Sequence, residues 1–218
     1  MKTLLICAAV AALAGTSFTA GADARPQRAG FLECDELLSN KEAAEAANEP
    51  VAEVVRNDKQ GSTQDCIWIA GSKTKGAVVT LEVTWSTYAD FRRTNLAKGR
   101  KLVCLENVAA CDAYDVARTV KSESDSFRAF FAALDLVGRA RWLAPSRFGG
   151  NRAFVWEPGD NLAAKFGRST RVFVYHAPSR RILEIYCSRN EGTTVASAEF
   201  DEGCAIAAAK TAYYNVTN

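Results

Sequence analysis

The chain has 218 residues, including seven Cys, one His and one Met; 48% of its residues are hydrophobic, 24% are charged, and the formal charge is +2. That composition belongs to a folded globular chain and excludes a disordered or collagenous one. A single His excludes a His-rich metal site and any mechanism that needs two imidazoles.

The first 24 residues read as a secretory signal. Lys2 supplies the positive start and Leu4 to Ala14 an apolar run. Ala22-Asp23-Ala24 is an A-x-A cleavage site, with an alternative after Ala20-Gly21-Ala22. The run is too short to span roughly 30 Å of hydrocarbon. Cys7 lies early in it, not after it, where a lipid-attachment cysteine would stand. No later stretch reads as a membrane span. The expected organisation is a signal peptide, 1–24, followed by a single exported domain, 25–218, secreted or periplasmic.

Taking 24 residues from 218 leaves 194, with no Met and six Cys: Cys34, Cys66, Cys104, Cys111, Cys187 and Cys204. An even number of cysteines in an exported chain reads as three disulfides. Many pairings are open, and proximity along the chain favours Cys34–Cys66, Cys104–Cys111 and Cys187–Cys204. No C-x-x-C pair exists and only His176 could complete a zinc set, so neither a metal nor a cofactor is expected.

In chain order, Ser39-Asn40-Lys41-Glu42 is a capping box that opens an Ala-rich helix to Ala47, and Pro50 stops it. Residues 51–57 read as a strand, and Cys66 to Ala70 as a second. Val79, Leu81, Val83 and Trp85 alternate with Thr80, Glu82, Thr84 and Ser86, which predicts a strand with one buried and one wet face. Thr87 to Asp90 opens a short helix through Leu96 that Gly99 is expected to end. Leu102 to Leu105 reads as a short strand, with Cys104 and Cys111 stapling a loop. Phe127, Phe130, Phe131 and Leu134 mark one apolar helix face, closed by Gly138. Arg152–Trp156, Leu162–Phe166, Arg171–His176 and Arg181–Cys187 read as strands, with Ala177–Arg180 as a turn. A helix from about Ser197 to Tyr213 follows. Runs of neighbouring strands between helices predict an α+β fold: a mostly antiparallel sheet packed by flanking helices and stapled by three disulfides.

The run Cys34-Asp35-Glu36-Leu37-Leu38, the Ala/Glu helix, Glu49-Pro50-Val51, Cys66-Ile67-Trp68 and Gly150–Trp156 is similar to small exported bacterial cell-envelope lipoproteins with a PsbP-like α/β sandwich. The resemblance covers about half the chain. It implies a helix cysteine paired with one just before an aromatic strand residue, and it supplies no catalytic motif. The missing lipid-attachment cysteine and the extra cysteines depart from that pattern.

For chemistry, there is no G-x-S-x-G, and His176, at a strand end beside a turn, is the one available imidazole base. Carboxylates cluster at Glu33, Asp35 and Glu36 and at Glu199, Asp201 and Glu202, where a solvated helix start competes with a hydrolytic pair. Charge is segregated. Residues 33–53 hold seven acids and one base, residues 92–101 five bases and no acid, and residues 139–152 four Arg and no acid. The last segment, Arg139, Arg141, Trp142, Arg147 and Arg152, is the candidate ligand site, because Arg beside aromatic faces binds phosphate, carboxylate or sugar acids. The alternative there is a solvated face or pairing with the acidic amino-terminal helix. Near-neutral charge and export argue against nucleic acid. The functional expectation is a non-enzymatic binding or envelope protein with an anionic ligand or protein partner, acting through a concave sheet face or through this segment. The alternatives are a secreted hydrolase using His176 or a carboxylate pair, and a protein–protein inhibitor or assembly module.

Overall fold

Strands β1 (Val51–Arg56), β2 (Gln64–Ser72), β3 (Ala77–Thr87), β4 (Gly138–Trp142), β5 (Arg152–Pro158), β6 (Thr170–His176) and β7 (Arg181–Arg189) make one antiparallel sheet in the order β1-β2-β3-β7-β6-β5-β4. The computed structural model describes residues 32–56, 62–72, 77–166, 168–189 and 197–217. The expected signal segment lies outside the described residues. Two meanders, β1-β2-β3 and β4 to β7, meet where β3 pairs with β7.

Each face of the sheet carries its own helical layer. On one face lie α1 (Cys34–Leu37), α2 (Asn40–Ala47) and α8 (Ser197–Thr217), packed on Trp68, Leu81, Val83, Val172, Val174, Leu183 and Ile185. Ala205, Ala208, Ala209 and Ala212 of α8 are fully buried; this i, i+3, i+4, i+7 stripe of small side chains lets the helix lie close on the strands. On the other face run α3 (Tyr88–Phe91), a π-helical stretch (Arg92–Leu96), α4 (Ala97–Glu106), α5 (Val108–Thr119) and α6 (Glu123–Asp135). Their core is aromatic: Tyr88, Phe91, Phe127 and Phe130 meet Phe154, Phe173 and Tyr175 of the sheet, mostly edge to face.

The caps form as their residue types require. Ser39 N–H donates to Glu42 Oε2 at 2.8 Å and Glu42 N–H to Ser39 Oγ at 3.3 Å. Asp90 N–H donates to Thr87 Oγ1 at 3.2 Å. The three disulfides join the pairs that proximity favours: Cys34–Cys66, Cys104–Cys111 and Cys187–Cys204. The first ties α1 to β2, and the third ties β7 to α8.

The middle of the chain differs from the expectation. Gly99 does not end a helix. It lies inside α4 because the Tyr114 side chain of α5 occupies the space that a Cβ would take. Leu102 to Leu105 is helical, not a strand, and Cys104–Cys111 staples the corner between α4 and α5. Within that run only Val103 enters the core while Leu102 and Leu105 are exposed, and periodicity over four residues cannot separate the two states. Residues 162–166 belong to helix α7 (Asp160–Phe166). Helix α6 ends at Asp135 with Leu136 as its cap, and Gly138, expected to close it, instead begins β4, an edge strand too short and too charged to show an alternating pattern.

Replacing Cys34 and Cys66 together by Ser is expected to cost about 3–4 kcal/mol of stability, and replacing Cys104 and Cys111 about 2 kcal/mol. The first bond closes a separation of 32 residues and the second only 7. Urea denaturation of the two double variants checks the order; equal losses would remove loop closure as the cause.

Candidate ligand cleft

The register of the sheet places two rows of side chains under the α3–α6 layer. One reads Ile67, Glu82, Tyr186, Arg171, Trp156 across β2, β3, β7, β6 and β5; the next reads Asp65, Thr84, Glu184, Phe173, Phe154. The acids of these rows lie on β2, β3 and β7, and Phe173, Phe154 and Trp156 lie on β6 and β5. The helices pack tightly on the aromatic end but stand off the rest, leaving a cleft of about 600 Å³. Asn95, Lys98, Leu102, Val103 and Tyr114 line it from the helical side. The face that alternation marks as wet is therefore roofed: Thr84 and Ser86 are buried and Glu82 is half-buried.

Glu184 is the fixed point of the floor. It is only 8% exposed, and its carboxylate accepts from Arg171 Nη1 at 2.5 Å and from Asn95 Nδ2 at 2.9 Å. The Arg171 guanidinium also lies over the Tyr186 ring, 5.0 Å from its centroid. Asn95 comes from the π-helical stretch, a backbone form frequent at functional sites.

Glu82 is placed differently. It sits diagonally across from Glu184 and accepts no hydrogen bond from the described residues. Burial pushes its carboxyl above the ordinary range, and the negative charge of Glu184 pushes it further, with Arg171 opposing. Asp65, also without a hydrogen-bond partner among the described residues, is its same-face neighbour on β2. The floor thus holds one paired carboxylate and two open ones.

The basic segment does not come together as one site. Arg139 and Arg141 share the α8 face of β4, and Trp142 lies on the α6 face. Arg139 pairs with Glu157 at 2.6 Å and Arg141 with Glu202. Trp142 stacks on Phe131 at 4.3 Å and keeps 40% of its surface exposed. Arg152 Nη1 donates to Ser124 Oγ at 2.7 Å. Arg147, in a 3₁₀ turn at Pro145–Phe148, is exposed and has no ion pair among the described residues. Arg139, Arg141 and Arg152 thus each satisfy a different local acceptor, on β5, α8 and α6.

His176 lies on the α8 face, away from the cleft. Its Nδ1 is 2.5 Å from Ser179 Oγ, and its ring stands 5.9 Å from Tyr213 and 6.5 Å from Trp85. Burial lowers its pKa. No carboxylate bonds to it among the described residues. The sequence-level acidic groups separate likewise. Glu202 pairs with Arg141, while Asp201 is buried beside Arg189, its pKa pushed up to about 6 by burial. The side chain of Glu199 lies outside the described residues.

Sequence reasoning missed Glu82, Glu184, Arg171 and Asn95. A signal existed for one of them: Glu184 is a charge set between Leu183 and Ile185 in the apolar middle of β7. Among the described residues no group of three or more His, Cys, Asp or Glu is arranged to hold a metal ion. No family model matches this chain, and no curated protein or solved structure matches it either.

The Glu82 carboxyl titrates higher in the fold than in the unfolded chain. Its stabilising contribution is therefore complete below the unfolded value and lost as pH rises through the folded one. Glu82→Gln is expected to raise the melting temperature at pH 8 by about 2–4 °C, with the gain shrinking toward zero at pH 4. Thermal scans at both pH values test this; an equal gain at each would show that titration is not the cause.

Proposed function

We propose that this chain is an exported, disulfide-stabilised, non-enzymatic binding protein that takes a small ligand in the cleft between its sheet and the α3–α6 layer. The observation that carries the reading is a cleft of about 600 Å³ with a polar floor at one end and aromatic side chains at the other. Ligand sites in proteins have this size and this mixture of apolar wall and few polar groups. Three disulfides, the signal-like amino terminus and the likeness of the Cys34–Trp68 region to cell-envelope proteins support an oxidising, exported setting. No helix among the described residues is long and apolar enough to cross a membrane. An anionic partner on the basic segment draws less support, because Arg139, Arg141 and Arg152 are engaged within the fold.

One observation favours a second reading, hydrolysis by a carboxylate pair. Glu82, with its pKa pushed up, stands diagonally from a Glu184 paired with Arg171, and such unlike carboxyl groups suit acid–base work.

Leu102 stands at the mouth of the cleft and is 40% exposed, so Leu102→Trp narrows the entrance without touching the core. Native mass spectrometry of the protein taken from its own cells is expected to show a bound small molecule that Leu102→Trp loses. Retention should survive in Arg141→Ala and Trp142→Ala. Loss in these two and not in Leu102→Trp would move the site to the basic segment. Consumption of the bound molecule by wild type but not by Glu82→Gln would favour the hydrolytic reading.

A further inference from the structure

The charges on the cleft floor do not balance from within. Asp65, Glu82 and Glu184 are three carboxylates, and Arg171 is the one cation among the floor rows. Arg171 is committed to Glu184 at 2.5 Å. Lys98 lines the opposite, helical wall, and its side chain is exposed. A ligand carboxylate or phosphate would have to take Arg171 from Glu184, leaving a buried carboxylate with only the Asn95 amide. A neutral apolar ligand would dry Glu82 without giving it a partner, at the cost of an unsatisfied buried acid. A cation does neither: it supplies both charge and N–H donors to the open acids.

Position points the same way. Asp65 lies opposite Thr84, two residues from Glu82, so the two acids are diagonal neighbours on adjacent strands and one small head group can reach both. From that end the floor passes through Tyr186 and Glu184 to Phe173 and Trp156, with Phe130 and Leu134 above. We propose that the ligand is an amphipathic organic cation, with an ammonium or amidinium head held between Asp65 and Glu82 and a flat apolar body running past Tyr186 toward Trp156. The proposal rests on the reading of the cleft as a ligand site and adds the class of ligand.

Binding of this kind is linked to pH. The groups facing Glu82 are Asp65 from β2, Glu184 and Tyr186 from β7, Arg171 from β6 and Lys98 from α4. Protonation of Glu82 removes half of the head-group site, so affinity falls as the solution is acidified.

The test uses the disulfide-bonded protein and three probes of one shape: 4-phenylbutylamine, 4-phenylbutan-1-ol and 4-phenylbutyrate. Calorimetry measures affinity, and amide chemical shifts locate each probe. The amine is expected to bind at least about tenfold more tightly than the other two, shifting residues of β3, β6 and β7, and to weaken about tenfold in Glu82→Gln. Asp65→Asn, at a half-exposed position, should weaken it in the same direction. If the alcohol or the carboxylate binds the cleft as well as the amine, or if neither variant changes amine affinity, the cation proposal is overturned and the cleft remains a site. If no probe shifts any cleft residue, the cleft reading fails together with it.

Discussion

Strands β3 and β7 pair over nine residues, from Val79 opposite Arg189 to Thr87 opposite Arg181. This seam joins two meanders that are otherwise complete in themselves, and it decides which side chains share a face. Leu81, Val83 and Trp85 align with Cys187, Ile185 and Leu183 toward α8. Glu82 and Thr84 align with Tyr186 and Glu184 toward α4 and α5. A slip of one residue would turn the acids into the α8 core and the apolar set into the cleft. Both cores and the cleft depend on this register.

The segment between β3 and β4 also depends on it. All of α3 to α6 leaves from the end of β3 and crosses one face before the chain re-enters the sheet at its far edge. Its aromatic side chains settle where the sheet offers Phe154, Phe173 and Tyr175. Beyond those rings the floor is charged, and the helices cannot close on it without stripping water from unpaired acids. The cleft is what remains where the apolar half of that face ends. Gly99 and Tyr114 hold α4 and α5 in close contact above it, and the Cys104–Cys111 bond fixes their corner.

The Arg171–Glu184 pair shows why the floor is ordered as well as charged. A buried ion pair adds little net stability, since the water lost from both ions offsets their attraction. Here Asn95 and Tyr186 take part in holding it, so its geometry is specified from the π-helical stretch as well as from the sheet. It occupies the positive charge of the floor and leaves Glu82 and Asp65 to face the cavity.

Much of the architecture was legible in local patterns. The capping box at Ser39, the alternation from Val79 to Ser86, the spacing of Phe127, Phe130 and Leu134, and the turn before Arg181 each report a period or a hydrogen-bond need that neighbours in the chain satisfy. So do the cysteine pairs, which lie near one another in sequence. What local pattern could not reveal was the partner of each face. Leu102 to Leu105 is one turn of α4 with Val103 buried and Leu105 exposed, and the wet face of β3 became a cleft floor because the helices that follow in the chain return over it. Glu82, Arg171 and Glu184 lie on three strands, and Glu82, far from the other two along the chain, meets them only through register. Sequence by itself determined the strongly periodic and capped elements, the cysteine pairs proximity favours and the limits set by one histidine, because those follow from short-range sterics, periodicity and composition. Tertiary structure alone decided that the exposed-looking acids gather under a roof while the Arg139–Arg152 segment disperses over two faces, because contact across strands is set by hydrogen-bonded register and not by distance along the chain.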